Sequence, residues 1–272
     1  MMAAYGSGVF SQGSEDKSKL VDLLVVAKDV SEWHEKNLCL NESHYPRWMR
    51  NAARARWFQT KGGARMTFFP YVNLGGFRCK YGVIGEADLI RDLANWDTLY
   101  CAGRLHKPVR LLHAPTPSSE LDTALKTNLT FAVSAAMVLL ASSGRVVASE
   151  GDVYTQISRL SYDGDIRMLF AENPRKVENI VSNNLAAFNS LYRTRLDNML
   201  DQGVLHWGKP IQMSGKQILP PRLASLAPNE LKEELARTVR LSSAVQTMKN
   251  AISAGFGKSA RYALRKIGKR FS

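Results

Sequence analysis

Residues 5–27 read YGSGVFSQGSEDKSKLVDLLVVA, and the reading of this stretch decides the fold. Residues 4–10 have the look of a strand running into a glycine turn. Residues 11–19 are polar and loop-like. Residues 20–27 form a strongly β-prone run with a single charge, Asp22. Glycines lack a Cβ, so the turn at Gly6, Ser7 and Gly8 can bring backbone N–H groups close to an anion, and the Ser7 hydroxyl can donate to a phosphate. An unpaired carboxylate is costly to bury, so Asp22 calls for a role. Beside a phosphate-binding turn it can hold Mg²⁺, which bridges phosphates and stabilises charge at a transferring phosphorus.

Working outward, Ser31 is expected to cap a helix reaching about Cys39, and residues 45–56 to form a second helix. Residues 65–72 and 77–84 read as strands joined through Gly75-Gly76, a hairpin. Residues 87–100 are helical by periodicity, with Leu89, Leu93 and Trp96 on one face. Residues 109–113 form a short strand, and the Pro/Ser-rich residues 115–119 mark a domain boundary. Helices are expected over 120–142, 150–160, 174–201 (interrupted near Asn183) and 228–242. The apolar stretch 129–141 is too short to span a bilayer and reads as a core helix.

Composition narrows the function classes. The chain has 272 residues, 45% hydrophobic, and a net charge of +13, which suits a soluble globular protein and excludes disorder and collagen-like repeats. Glu234 is the last acidic residue, and nine basic residues follow it. The body is therefore nearly neutral at +4, and the tail supplies the rest. Such a tail calls for an anionic partner: a lipid surface, nucleic acid or an acidic protein. The three cysteines, Cys39, Cys79 and Cys101, form no CxxC pair and read as reduced thiols, and no His/Cys cluster has zinc-site spacing.

Four further groups can carry chemistry. The segment WHEKNLCLNESHY places Trp33, His34, Asn37, Asn41, His44 and Tyr45 close together. Lys80-Tyr81-Gly82 and Ala102–Pro108 supply Lys80, Arg104 and Lys107, cations able to neutralise a triphosphate. LSYDGDIRM contributes Asp163, Asp165 and Arg167, with Glu172 and Lys176 following.

The strand–turn–strand–Asp arrangement resembles the nucleotidyltransferase superfamily related to polymerase β. That superfamily has a second carboxylate two residues on, where this chain has Leu24. Another acid must replace it, with Asp163, Asp165 and Glu172 the candidates, or the triphosphate itself must complete the site. The ordered set YGSGVF, Asp22, WHxxN with HY, KYGVI, WDTLYCAGRLHKPV, LSYDGDIRM and SSAVQTMKNAISAGFGKSARYALRK is more specific. It resembles the mitochondrial translocator assembly and maintenance family of phosphatidate cytidylyltransferases, over about residues 5–266. One stretch departs: Arg65 and Phe69 stand where the family's GAGVYFNP-like pattern has glycine and asparagine. Members also carry several dozen residues before YGSGVF, including an import signal, so such a segment is expected upstream.

The resemblance implies an α+β architecture: a nucleotidyltransferase domain over 1–114 built on a polymerase β-like mixed sheet with helices, then a winged-helix-like, mostly helical domain over 115–215. A linker and helix over 216–243 and an amphipathic C-terminal helix over 244–272 complete it. The implied activity joins CTP and phosphatidate into CDP-diacylglycerol, for cardiolipin synthesis, on the matrix side of the inner mitochondrial membrane. Gly6, Ser7 and Gly8 match the nucleotide-binding turn and Asp22 the strand carboxylate. Within the other matching motifs, Tyr81, Arg104 and Lys107 are expected at the nucleotide and Lys80 in catalysis. Asp165 joins Asp22 at Mg²⁺, and Arg167 and Lys176 face the lipid phosphate.

Read as a helix, the tail has an apolar stripe of Val245, Met248, Ile252, Phe256, Ala260, Leu264, Ile267 and Phe271. Lys258, Arg261, Arg265, Lys266 and Lys269 fall largely on the other side, the pattern of an interfacial membrane helix. Phe256, Lys258, Arg261, Leu264, Arg265 and Ile267 are the expected contacts to an anionic bilayer, and no nucleic-acid partner is expected. Two rival functions share features with this one: a nucleotidyltransferase acting on nucleic acid, and a non-catalytic membrane-associated assembly factor.

Overall fold

The computed structural model describes residues 1–10, 20–170, 173–211 and 217–254. Its centre is a five-stranded mixed sheet in the order β3-β4-β2-β1-β5. The strands are β1 (Met2–Tyr5), β2 (Val21–Ala27), β3 (Met66–Leu74), β4 (Phe77–Gly85) and β5 (Arg110–His113). Strand β2 runs parallel to β4, and all other pairs are antiparallel. β3 and β4 form the expected hairpin through Gly75-Gly76. β1 lies earlier than expected and ends at Tyr5, so the glycine turn begins at Gly6.

Side chains alternate across a strand, and the alternation divides β2 cleanly. Leu24 and Val26 face one core together with Phe68 and Ile84. Val21, Leu23 and Val25 face another, with Phe69, Tyr81 and Val83. Helices α1 (Val30–Asn41) and α2 (Ala52–Thr60) pair closely on the second side. Two expectations there are corrected. The α1 cap is Asp29, whose Oδ1 accepts from Ser31 N and Glu32 N at 2.7 and 3.0 Å. The single helix expected over 45–56 is a 3₁₀ turn at Arg47–Met49 followed by α2, because the Asn51 side chain accepts from Arg54 N and starts a new helix.

The first core extends without interruption into the helices beyond residue 115. These are α5 (Glu120–Ser142), α6 (Glu150–Arg159), α7 (Ile166–Phe170), α8 (Lys176–Ser182) and α9 (Leu185–Asp201), with a two-stranded ribbon of β6 (Val146–Val147) and β7 (Lys209–Pro210). Among the described residues only α5 is long and apolar enough to cross a membrane, and 56% of its apolar window is buried in the protein. It is the central core helix.

Helix α3 (Glu86–Asn95) ends five residues earlier than its periodicity suggested, since Trp96 turns left-handed at φ 56°. A short helix, α4 (Ala102–Leu105), follows. The Trp96 indole N–H donates to Asn128 Oδ1 at 2.8 Å, and Asn128 Nδ2 donates to the Ala102 carbonyl. His106 Nε2 lies 3.0 Å from the same Oδ1, an atom that can only accept, so Nε2 carries the proton. The Tyr192 hydroxyl donates to the His106 carbonyl at 2.7 Å. One asparagine on α5 thus joins α3, α4 and, through His106, α9.

Helix α10 (Pro228–Ala254) crosses the position 243 at which the sequence suggested a break. Ser243 Oγ meets the N–H of Ile166, Gln246 donates to the Met66 carbonyl, and Lys249 Nζ donates to the carbonyls of Gln59 and Lys61. Lys249, one of the nine basic residues that follow Glu234, is a buried clasp on the end of α2. The expected membrane contacts from Phe256 to Ile267 lie outside the described residues.

Asn128→Ala leaves two buried N–H donors, those of Trp96 and His106, without partners, while the Ala102 carbonyl keeps the His106 N–H. The expected loss is about 3 kcal/mol of folding stability, read as a lower urea midpoint at unchanged m value. A loss below about 1 kcal/mol would remove the network from this role.

Candidate active site

The turn after β1 is closed by Val9 N and Phe10 N, which donate to the Gly6 carbonyl at 3.1 and 3.0 Å. Gly6 holds φ +78°, and a Cβ there would stand 3.0 Å from Asp22 Oδ2. Left-handed backbone and contact with the carboxylate both call for glycine. Asp22 is half-buried and pairs in register with Tyr5 on one side and Lys80 on the other. Adjacent residues of parallel strands in register point to the same face, so the carboxylate and the Lys80 ammonium share the side occupied by the helical core. Lys80 Nζ lies 4.4 Å over the Phe68 ring.

A second arm reaches this place from α4. The Arg104 guanidinium stacks 3.8 Å over Tyr100 and lies 5.8 Å from the Tyr5 ring centre, next to Asp22's own strand partner. One turn on, Lys107 Nζ donates to Ser161 Oγ at 2.7 Å and to the Gly103 carbonyl. This depends on Gly103, where a Cβ would meet the Ser161 Cβ at 2.3 Å. Lys107 and Lys176 flank the Tyr162 ring at 4.9 and 5.3 Å. Burial, then the neighbouring Arg104 and Lys176 charges, lowers the Lys107 pKa to about 7.

The arm is aimed by Asp92, a residue to which the sequence reading gave no role. Its Oδ1 accepts from Thr98 N, Thr98 Oγ1 and Leu99 N, and its Oδ2 from Cys101 N and Ala102 N, all within 3.0 Å. These bonds hold Leu99 left-handed at φ 53° and set the start of α4. Ser161 and Tyr100 also enter the site without having been singled out.

Asp165 sits in the same region but is buried and committed. Its two oxygens take the Arg167 side chain at 2.5–3.1 Å, and Oδ1 also accepts the Arg167 N–H. Burial raises its pKa, yet these bonds outweigh that and the net shift is downward. Its oxygens therefore fit the positioning of a guanidinium rather than the coordination of a metal. The place of Asp22 beside the turn suits a divalent ion. Among the described residues no group of three or more His, Cys, Asp or Glu is arranged for a metal. Glu172, the other candidate acid, lies outside them. Asp163 is exposed on a cleft shared with Tyr162, Met168, Val177 and Arg240.

Tyr81, expected beside the nucleotide, is on the opposite face of the sheet, because it follows Lys80 by one residue. Its hydroxyl lies 2.8 Å from His44 Nδ1 and receives Asn37 Nδ2 at 3.1 Å. His34 Nδ1 lies 2.9 Å from the Tyr45 hydroxyl and Nε2 lies 3.0 Å from Gln59 Oε1. The WHxxN and HY residues thus form a polar network tying α1 to the sheet and α2, away from Asp22. Of the expected site residues, Gly6, Ser7, Gly8, Asp22, Lys80, Arg104, Lys107, Asp165, Arg167 and Lys176 lie on or around the one region, and Tyr81 does not.

Comparison with known proteins gives a consistent match. The family described as "Phosphatidate cytidylyltransferase, mitochondrial" matches residues 1–220 and 221–269. A protein of that name from Xenopus laevis is 31% identical, over 97% of this chain and 88% of its own length. The one from Rattus norvegicus is 33% identical, over 98% and 89%. The one from Dictyostelium discoideum is 38% identical, over 73% of this chain and 50% of its own.

An anion bound beside Lys107 favours its ammonium form. With an unliganded pKa of about 7, binding of inorganic pyrophosphate takes up a proton between pH 7 and 8, and affinity falls as pH rises above 7. Below pH 7 the lysine is already charged and the uptake vanishes. Calorimetry in buffers of differing ionisation enthalpy measures this, and Lys107→Arg should abolish the uptake.

Proposed function

The chain belongs to the mitochondrial phosphatidate cytidylyltransferase family and is a nucleotidyltransferase, and we propose that it transfers a cytidylyl group from CTP to phosphatidate, releasing pyrophosphate and forming CDP-diacylglycerol. The observation that carries this reading is the placement of Asp22 against the Gly6 turn, with Lys80 on its own face and the Arg104–Lys107 arm alongside. The sheet, with its turn after β1 and carboxylate on β2, supports a polymerase β-like nucleotidyltransferase unit over 1–114. The helices from α5 to α9 with the β6–β7 ribbon support a winged-helix-like unit over 115–215.

The nucleophile is a phosphate oxygen of phosphatidate. A phosphate monoester has a second pKa near about 6 and is mostly a dianion near neutrality, so no strong general base is required. That oxygen attacks the α-phosphorus of CTP. A P–O bond forms there as the bond to the bridging oxygen breaks, and pyrophosphate leaves with the electron pair. Catalysis then consists of positioning and charge neutralisation. The N–H groups and hydroxyl of Gly6–Gly8 hold the triphosphate. Lys80 and Arg104 neutralise it from the two sides of Asp22, and Lys107, Lys176 and Arg167 carry the remaining positive charge, shared between the triphosphate and the lipid phosphate. Asp165 fixes the Arg167 fork. Asp22 would be the residue of this chain that holds a divalent ion such as Mg²⁺. When bound, the ion supplies Lewis-acid stabilisation of charge on the transferring phosphoryl group.

The lipid substrate and the basic, apolar-striped tail together support a peripheral position on an anionic membrane. The mitochondrial naming of the relatives supports a mitochondrial location, and the proposal places the chain on the matrix face of the inner membrane, supplying CDP-diacylglycerol to cardiolipin synthesis.

Purified protein given CTP, Mg²⁺ and detergent-dispersed phosphatidate should form CDP-diacylglycerol, and EDTA should stop it. Asp22→Asn should lower turnover by about a thousandfold, the scale of losing an electrostatic stabiliser of the transition state, with the fold intact by circular dichroism. Unchanged turnover in that variant would overturn the assignment of Asp22.

A further inference from the structure

From residue 43 to 85 the chain has eight basic side chains and no acidic one. Five of these, Arg47, Arg50, Arg54, Arg56 and Lys61, are exposed around the 3₁₀ turn at Arg47–Met49 and helix α2. Only Arg50 among them has an acidic partner within the described residues, Glu42 at 3.4 Å. Two indoles stand in the same field: Trp48 is 39% exposed and Trp57 is 59% exposed. On a helix, residues three, four and seven apart share a side. Trp57 is therefore flanked by Arg54 and Ala53 on one turn and by Lys61 on the next. Trp48 is fixed beside them by edge-on packing against Phe58, ring centres 5.1 Å apart.

The surface continues onto α10. Lys249 Nζ stands 5.2 Å from the Phe58 ring while it holds the carbonyls at the end of α2. This clasp turns the polar side of α10, with Gln246 and Ser253, inward and leaves Met248 63% and Ile252 43% exposed. Aliphatic side chains give little to a phosphate backbone but insert favourably among acyl chains. Tryptophan interspersed with arginine is the composition of a membrane–water interface.

We propose that the face formed by Trp48, Trp57, the α2 arginines and the outer side of α10 seats on an anionic lipid bilayer, as a contact separate from residues 255–272. Trp48 and Trp57 lie at the headgroup–acyl boundary, and Arg47, Arg54, Arg56 and Lys61 meet lipid phosphates. The contact rests on exposure and charge alone and does not depend on the reaction assigned to the chain.

The test uses the full chain with vesicles of phosphatidylcholine plus phosphatidylglycerol, and of phosphatidylcholine alone. Trp48→Ala/Trp57→Ala should weaken sedimentation with the anionic vesicles by about tenfold or more, and Arg54→Glu/Arg56→Glu by a similar factor, in line with about fivefold per juxtamembrane charge. Brominated acyl chains should quench the tryptophan fluorescence of the unmodified chain. The conservative pair Trp48→Phe/Trp57→Phe, which keeps aromatic packing, should lose most of that quenching. Cytidylyl transfer to detergent-dispersed phosphatidate should be the same in all these chains. Wild-type vesicle affinity in both the Trp→Ala and the Arg→Glu pairs would overturn the proposal, as would quenching that persists undiminished in the Phe pair. Weakened binding to single-stranded RNA with vesicle binding intact would likewise overturn it, and would assign the face to nucleic acid.

Discussion

A carboxylate taken out of water must be met by donors, and Asp92 meets that requirement with five, four of them backbone N–H groups of residues 98–102. A chain reversing direction between two helices would otherwise leave those N–H groups without partners in the interior. The same bonds keep Leu99 in a left-handed conformation that a bulky side chain adopts only when its surroundings enforce it. From this fixed turn α4 starts in one direction, and that direction brings Arg104 over Tyr5 and Lys107 onto Ser161. The cationic arm is rigid because its root is over-determined, as a preorganised electrostatic site requires.

The arm is tied to the rest of the protein through Asn128. Trp96, His106 and Ala102 all meet its amide, and His106 continues to Tyr192. Burial, reinforced by Lys107, drops the His106 pKa to about 3, so the ring stays neutral and adds no charge beside the lysine. The sheet supplies Asp22 and Lys80, the arm supplies Arg104 and Lys107, and the first turn of α7 supplies Arg167, held by Asp165 just before that helix. Three separate pieces of chain meet because one continuous apolar core runs beneath all of them.

The sheet was legible because its signals are local: β-branched runs, the Gly75-Gly76 turn and the glycines before residue 20. Residues 120–142 were legible for the same reason, their apolar run being bounded by Ser119 and Ser142. The α1 cap was misplaced by two residues, since Asp29 and Ser31 are both good caps and only the backbone decides between them. Tyr81 was placed in the site because its neighbours belong there, although strand alternation sends it to the other face. Asp92 drew no reading from the sequence, because its partners lie six to ten residues on, beyond any helical period. Lys249 looked like tail charge, and its carbonyl partners come from almost two hundred residues away. Local chemistry is visible in a sequence, whereas a polar group satisfied by distant backbone is not.

The contact between Gly103 and Ser161 constrains how this sequence can drift. A methyl group at 103 would occupy the place of the Ser161 Cβ, 2.3 Å away, so even alanine is shut out while any side chain stands at 161. Glycine at 161 would open the space, but it would remove the hydroxyl that receives Lys107. Neither position can change first without injury to the other or to the lysine, which leaves the pair an evolutionary dead lock: two sites far apart in the chain inherit their residues together.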